Sequence, residues 1–215
     1  MRNDNLEELI AQADENMIRE YVLSHPGSLK SKTSFNVSPI VLSCFYQKNR
    51  ITELLFSLDE KIDFFEACAA NKFDIVAHHI YQNHDIVNVF YDNGYTGLGL
   101  ACYFGHEEIA KYLILKGANV NIPSDNEYRT FPLYSAVIGN FTSLTATLLK
   151  EGANANIQQA GGITPLHIAA KNGNIELIIT LLENGASVEA KTEEGKTPST
   201  MAQENGHLEI AEILS

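Results

Sequence analysis

Along most of the chain, short apolar runs alternate with polar punctuation in a fixed order, and residues 162–185, GITPLHIAAKNGNIELIITLLENG, show one full cycle. Thr164 and Pro165 suit a helix start, because a threonine side chain can accept from a first-turn N–H and proline has no N–H to leave unpaired. Small residues, Ala169 and Ala170, occupy a first helix of about two turns. Gly173 supplies the positive φ of a reversal, and a second helix gathers Ile175, Ile178, Leu181 and Leu182 on one face. Gly185 ends it. The pattern predicts a helical pair followed by a loop.

The cycle recurs. It reappears 33 residues later as GKTPSTMAQENGHLEIAEILS from Gly195, and 33 residues earlier as RTFPLYSAVIGNFTSLTATLLKEGANA from Arg129. GYTGLGLACYFGHEEIAKYLILKGANV from Gly94 is displaced by 35, because the intervening loop, IPSDNEYRTF, is two residues longer. KIDFFEACAANKFDIVAHHIYQNHDIV from Lys61 follows the same plan, and the signal persists more loosely from Val37 and from Leu6. Gly105, Gly206, Asn71 and Asn140 take the reversal position of Gly173, while Gly117 and Gly152 stop second helices as Gly185 does. A repeat of this length marks stacked units, each unable to bury its apolar face alone.

TPLHIAA with a 33-residue period resembles the ankyrin repeat, strongly from Lys61 onward and more loosely before it. GYTGLGLACYFGH and ANANIQQAGGITPLHIAA look like the corresponding segments of bacterial ankyrin proteins. The resemblance implies an all-α solenoid of about seven stacked helical hairpins with β-hairpin-like loops. It spans residues 1–215 as one ankyrin repeat domain, with approximate units at 5–37, 38–60, 61–93, 94–128, 129–161, 162–194 and 195–215. The second unit lacks its hairpin arm. Inner helices and hairpin tips are expected to form a concave face for a protein or peptide.

Composition narrows the partners. With 45% apolar and 20% charged residues the chain reads as a soluble globular protein. It has no apolar leader core and no span of roughly 18 apolar residues, so a cytoplasmic, non-membrane protein is expected, monomeric when free. A net charge of -12 argues against nucleic acid, which needs clustered Lys and Arg. Residues 164–215 are acidic, which either steers a basic partner or keeps the terminal repeat soluble.

The repeat also supplies a control for residues that bear chemistry. His167 is replaced by Tyr134, Gly99 and Thr200 in sister units, so no column of histidines lines the stack, and a general base needs an orienting partner and a pocket. In ankyrin proteins this histidine ties adjacent turns together, and that role is expected here, along with structural roles for Thr164, Pro165, Gly173, Gly185 and Gly206. His78, His79 and His84 form the one local histidine cluster. Neighbours on a helix point about 100° apart, which is poor for shared metal ligation. Cys44, Cys68 and Cys102 share one small position of the first helix, too widely spaced for a disulfide. No nucleotide loop, carboxylate pair or nucleophile elbow appears, so no catalytic residue, metal or cofactor is expected.

Function is sought instead where the sisters differ. In ankyrin proteins the partner-facing positions are the hairpin tip, the residue before the Thr-Pro turn and the two residues before the reversal. Here those positions carry Phe35, Phe45, Tyr46, Tyr95, Tyr103, Phe104, Tyr128 and Ile138, with Tyr134 in place of the histidine. Lys171, Asn172, Glu204 and Asn205 occupy them in the last two units. Aromatic residues are enriched at interface cores, which marks this stripe as the partner-binding site. The longer finger adds Glu127 and Arg129 beside Tyr128. The expected function is a non-catalytic interaction module acting as adaptor, inhibitor or regulator, the alternatives being a secreted effector with the same face, an enzyme or a metal-binding protein.

Overall fold

The computed structural model describes residues 5–59 and 61–215, and among these the regular structure is helical, with two isolated β-bridges. Fourteen α-helices form seven pairs, matching the seven cycles of the sequence. The chain divides into two compact units, one reaching Gly97 and the other running from Leu98 to Ser215.

The first unit holds α1 (Leu6–Gln12), α2 (Glu15–Ser24), α3 (Pro39–Phe45), α4 (Asn49–Leu58), α5 (Phe64–Ala69) and α6 (Phe73–Gln82). Its core is Leu9, Ile10, Ile18, Ile40, Leu42, Ile51, Leu55 and Phe64, all nearly inaccessible. Ser38 caps α3 ahead of Pro39, its side chain accepting from the Val41 N–H at 3.3 Å. Asn71 has a positive φ of 58° at the reversal after α5, but Gln47 (54°) and Ala13 (59°) do the same work after α3 and α1. Neither residue has the glycine or asparagine preference for that region, so the sequence carried no sign of them.

The missing arm of the second pair is filled from both sides. The turn at Thr33–Val37 and the arm at Phe90–Thr96 meet directly: the Ser38 N–H donates to the Tyr91 hydroxyl at 2.9 Å, and Lys32 pairs with Asp92 at 2.6 Å. Below them, Lys30 reaches the short α4–α5 connection. Its ammonium lies 2.7 Å from Asp59 and 3.6 Å from Glu66, and it donates to the Lys61 carbonyl. Asp63 and Glu66 form a reciprocal cap on α5, each accepting from the other's N–H. Burial holds both carboxyls above their ordinary values, and the charge of Asp63 adds to the effect on Glu66.

The second unit comprises α7 (Gly97–Phe104), α8 (Glu107–Leu115), α9 (Pro132–Ile138), α10 (Thr142–Lys150), α11 (Pro165–Asn172), α12 (Ile175–Glu183), α13 (Pro198–Glu204) and α14 (Leu208–Ile213). Its first helices bury small residues against their neighbours, Ala101, Ala136, Ala169 and Ala202. Leu113, Leu148 and Leu181 fill the seam beneath the second helices. Successive first helices pack side by side, α9 on α11 and α11 on α13, and α8, α10 and α12 form a parallel second row. Gly117, Gly152 and Gly185 adopt φ of 81–91° where the second helices stop.

Candidate interaction surface

His167 has a structural role and not a chemical one. It is fully buried. Its Nδ1 accepts from the Thr164 N–H at 3.2 Å, which leaves Nε2 as the protonated nitrogen, donating to the Lys196 carbonyl at 3.0 Å. Burial holds its pKa below the ordinary histidine value, so the neutral ring is the folded form. The residue therefore fastens α11 to the loop entering α13. His207 makes a second link of this kind, donating from Nε2 to the Lys171 carbonyl at 3.1 Å, with its ring packed against Gly173. A Cβ at Gly173 would lie 2.4 Å from that ring, and its φ is 72°, so glycine is required twice over.

His79 and the three cysteines, too, are held by a structural partner or by burial. His79 is half-buried and donates to the Ile62 carbonyl at 2.9 Å, while His78 and His84 are exposed. Cys44, Cys68 and Cys102 are free and buried, and burial raises all three thiols, Cys44 to about 12, which opposes thiolate chemistry. Among the described residues no group of three or more His, Cys, Asp or Glu is placed to hold a metal ion. No helix among them is long and apolar enough to cross a membrane.

Departures from the repeat lie elsewhere in the second unit. Phe141, at the start of α10, wedges its ring between the turns that follow α7 and α9. A Cβ on Gly105 would sit 2.5 Å from the ring, and one on Gly139 only 2.2 Å. Gly139 has a helical φ of -71°, so space for the ring, and not backbone freedom, demands glycine there. The wedge draws together the ends of α7 and α9, which carry Tyr103 and Ile138. Both are exposed, by 43% and 53%. Phe104 is half-buried, edge-on to Tyr103 at 5.1 Å and stacked on His106 at 6.0 Å. Tyr134 is half-buried, and burial raises its hydroxyl pKa.

The long finger is an ordered loop. Ser124 is buried; its N–H donates to the Thr130 carbonyl at 2.9 Å and its hydroxyl accepts from the Thr130 N–H at 2.7 Å. Asn126 accepts from the Tyr128 N–H at 3.1 Å, and Arg129 takes a positive φ of 44°. The loop thus presents Glu127, Tyr128 and Arg129 outward, Tyr128 being 66% exposed. Successive tips are laced in series: Gln159 donates to the Arg129 carbonyl of the finger at 3.1 Å, and the Glu193 N–H of the following tip donates to the Gly161 carbonyl at 2.8 Å. Neither the wedge nor the lacing was anticipated. Phe141, where the sisters have Lys72, His106, Asn174 and His207, was the available signal for the wedge; the glutamine gave none.

In the first unit, Phe35 stands 60% exposed on the turn at Thr33–Val37. Phe45 and Tyr46, at the end of α3, are half-buried, as is Tyr95 in the arm at Phe90–Thr96. Thr164 and Pro165 are buried at the start of α11, and Gly173, Gly185 and Gly206 all have positive φ.

The sequence matches the family profile for ankyrin repeats in three copies, over residues 64–159 and 133–215. The chain belongs to the ankyrin repeat family. Ankyrin repeats are generally protein–protein interaction modules, and the family is generally non-catalytic. An ankyrin repeat protein of Rickettsia felis is 42% identical over 77 residues, covering 36% of this chain and 33% of its own. An ankyrin repeat-containing protein of Treponema pallidum is 36% identical over 97 residues, 40% of this chain and 32% of the relative. The human transient receptor potential cation channel subfamily A member 1 is 28% identical over 177 residues, 75% of this chain but 16% of the channel. The chain therefore spans a third or less of the curated relatives it matches.

Proposed function

We propose that this ankyrin chain binds a protein or peptide through the aromatic and apolar face of its second unit, acting as an adaptor, inhibitor or regulator without chemistry of its own. Tyr103, Ile138 and Tyr128 are the anchors, with Phe104 and Tyr134 packed behind them and Glu127 and Arg129 at the rim. Phe35, Phe45, Tyr46 and Tyr95 offer aromatic contacts on the first unit. The observation that carries this reading is exposure: Tyr103 and Ile138 are 43% and 53% accessible at the position where the last two repeats carry Lys171 and Glu204, and Tyr128 is 66% accessible on the long finger. A fold does not need these side chains in water, and aromatic anchors each contribute about 2 kcal/mol or more at an interface. The Phe141 wedge and the laced tips support it further, since a rigid surface loses less entropy on binding.

The test is affinity capture from cell extract with the wild-type chain and with Tyr103→Ala/Tyr128→Ala, read by mass spectrometry. The expected result is loss of the captured protein while the melting temperature is unchanged. Unchanged capture, or a variant that fails to fold, would overturn the assignment.

A further inference from the structure

A depression in the first unit is bordered by α2 and α4. Lys30, Lys32 and Lys72 are each held by acidic partners, Lys72 by both oxygens of Glu53 at 2.7 and 2.9 Å. Arg19, Lys48 and Arg50 make no side-chain hydrogen bond or ion pair among the described residues, and all three border one depression between α2 and α4. Arg19 and Arg50 line a groove of about 460 Å³ with Asn49 and Ser57. Lys48 and Gln47 line an adjoining lobe of about 370 Å³ that shares Glu15, Asn49 and Arg50.

The groove's own acids do not neutralise it. Glu53 is taken by Lys72, and Glu15, one helical turn before Arg19, forms no ion pair with it within 4 Å. Three cations without an ion pair thus border a depression whose two carboxylates, Glu15 and Glu53, engage none of them, in a chain whose net charge is -12. Guanidinium groups present planar arrays of N–H donors, and two of them with an ammonium offer more donors than the two oxygens of a carboxylate can accept. A phosphate group, with three acceptor oxygens and nearly two charges, fits that donor set.

We propose that the α2–α4 groove binds a dianionic phosphate group through Arg19, Arg50 and Lys48, with Glu15 weakening the interaction. The site is independent of the aromatic face and stands or falls without it.

The test is an NMR titration of the ¹⁵N-labelled chain with three probes: inorganic phosphate, a short Gly-Ser peptide bearing one phosphoserine, and the same peptide unphosphorylated. Phosphate and phosphopeptide should move the amides of residues 15–19 and 47–57, and the unphosphorylated peptide should not. Tighter binding of the phosphopeptide assigns the site to a modified partner protein, and equal or tighter binding of inorganic phosphate assigns it to a small phosphate. Arg19→Gln and Arg50→Gln, both at exposed positions, should each weaken binding about fivefold or more, whereas Glu15→Gln should strengthen it. Shifts spread over the other lysines, equal response to the unphosphorylated peptide, or affinity unchanged in both arginine variants would overturn the proposal.

Discussion

Replacing Lys30 with methionine tests how the first unit tolerates its missing arm. The change keeps the aliphatic stem and removes the ammonium that pairs with Asp59 at 2.7 Å and Glu66 at 3.6 Å. Those carboxylates are almost wholly buried, with side-chain exposures of 6% and 1%, so neither is rescued by solvent. Breaking a buried pair from one side costs roughly 3–5 kcal/mol. Lys30 itself is 46% exposed, so water already screens part of the attraction, and about 2 kcal/mol is expected at neutral pH. The pH dependence is sharper than the magnitude. Asp63 and Glu66 have raised carboxyl pKa values, so the folded state binds their protons more tightly than the unfolded chain. Stability therefore falls as pH rises from the ordinary carboxyl range through the raised values. Without the ammonium both values move further up, so the penalty of Lys30→Met should be greatest near neutrality and shrink as pH falls toward about 4. His79, Tyr91 and Ser38 also face the cluster. Native-state hydrogen exchange of the α5 amides is the assay, because stacked repeats can open in parts. Glu66→Gln added to Lys30→Met should restore more than half of the loss. A penalty equal at pH 4.5 and 7, or no recovery in the double variant, would refute the reasoning.

Other outcomes follow from single contacts in the second unit. Gly139→Ala should cost about 1–3 kcal/mol by forcing the Phe141 ring aside, and Phe141→Leu in the same chain should recover most of it, as read by urea unfolding. Thr145 is fully buried with no partner for its hydroxyl, so Thr145→Val should stabilise by about 1 kcal/mol, visible as a higher melting temperature. His167 has a depressed pKa when folded, so its contribution is present above the unfolded value of 6.5 and lost as pH falls through it toward the folded value. His167→Gln should flatten that part of the stability profile, and an unchanged slope between pH 5 and 7 would count against the neutral buried ring.

Helix pairs, caps and stops were legible because each rests on local chemistry. Ser38 before Pro39, and Gly117, Gly152 and Gly185 after second helices, announce themselves by what their own backbones can do. The histidine bond was legible only through resemblance to a family, since nothing in TPLHIAA names the Lys196 carbonyl 29 residues away. Features joining residues far apart in sequence were silent. The missing arm of the second unit was legible, but no residue type or spacing marked Lys30 as the side chain that would reach Glu66. Ala13 and Gln47 adopt the left-handed conformation because the surrounding pair fixes the chain path, and tertiary packing outweighs their preference. The candidate anchors stood out by type, but sequence could not separate exposed Tyr103, Ile138 and Tyr128 from half-buried Phe104 and Tyr134.

Phe141 and the two glycines it touches also set the order in which this region can change over evolutionary time. A larger residue at Gly105 or Gly139 meets the ring at once, so neither glycine is free to vary while the phenylalanine stands. A smaller residue at Phe141 loses packing but creates no clash, and it opens Gly139 to side chains with ordinary helical geometry. The permitted path therefore begins at the ring. Descendants that have lost the aromatic should show varied residues at position 139, while those that keep it should keep the glycine, an epistatic pairing that ancestral reconstruction can examine.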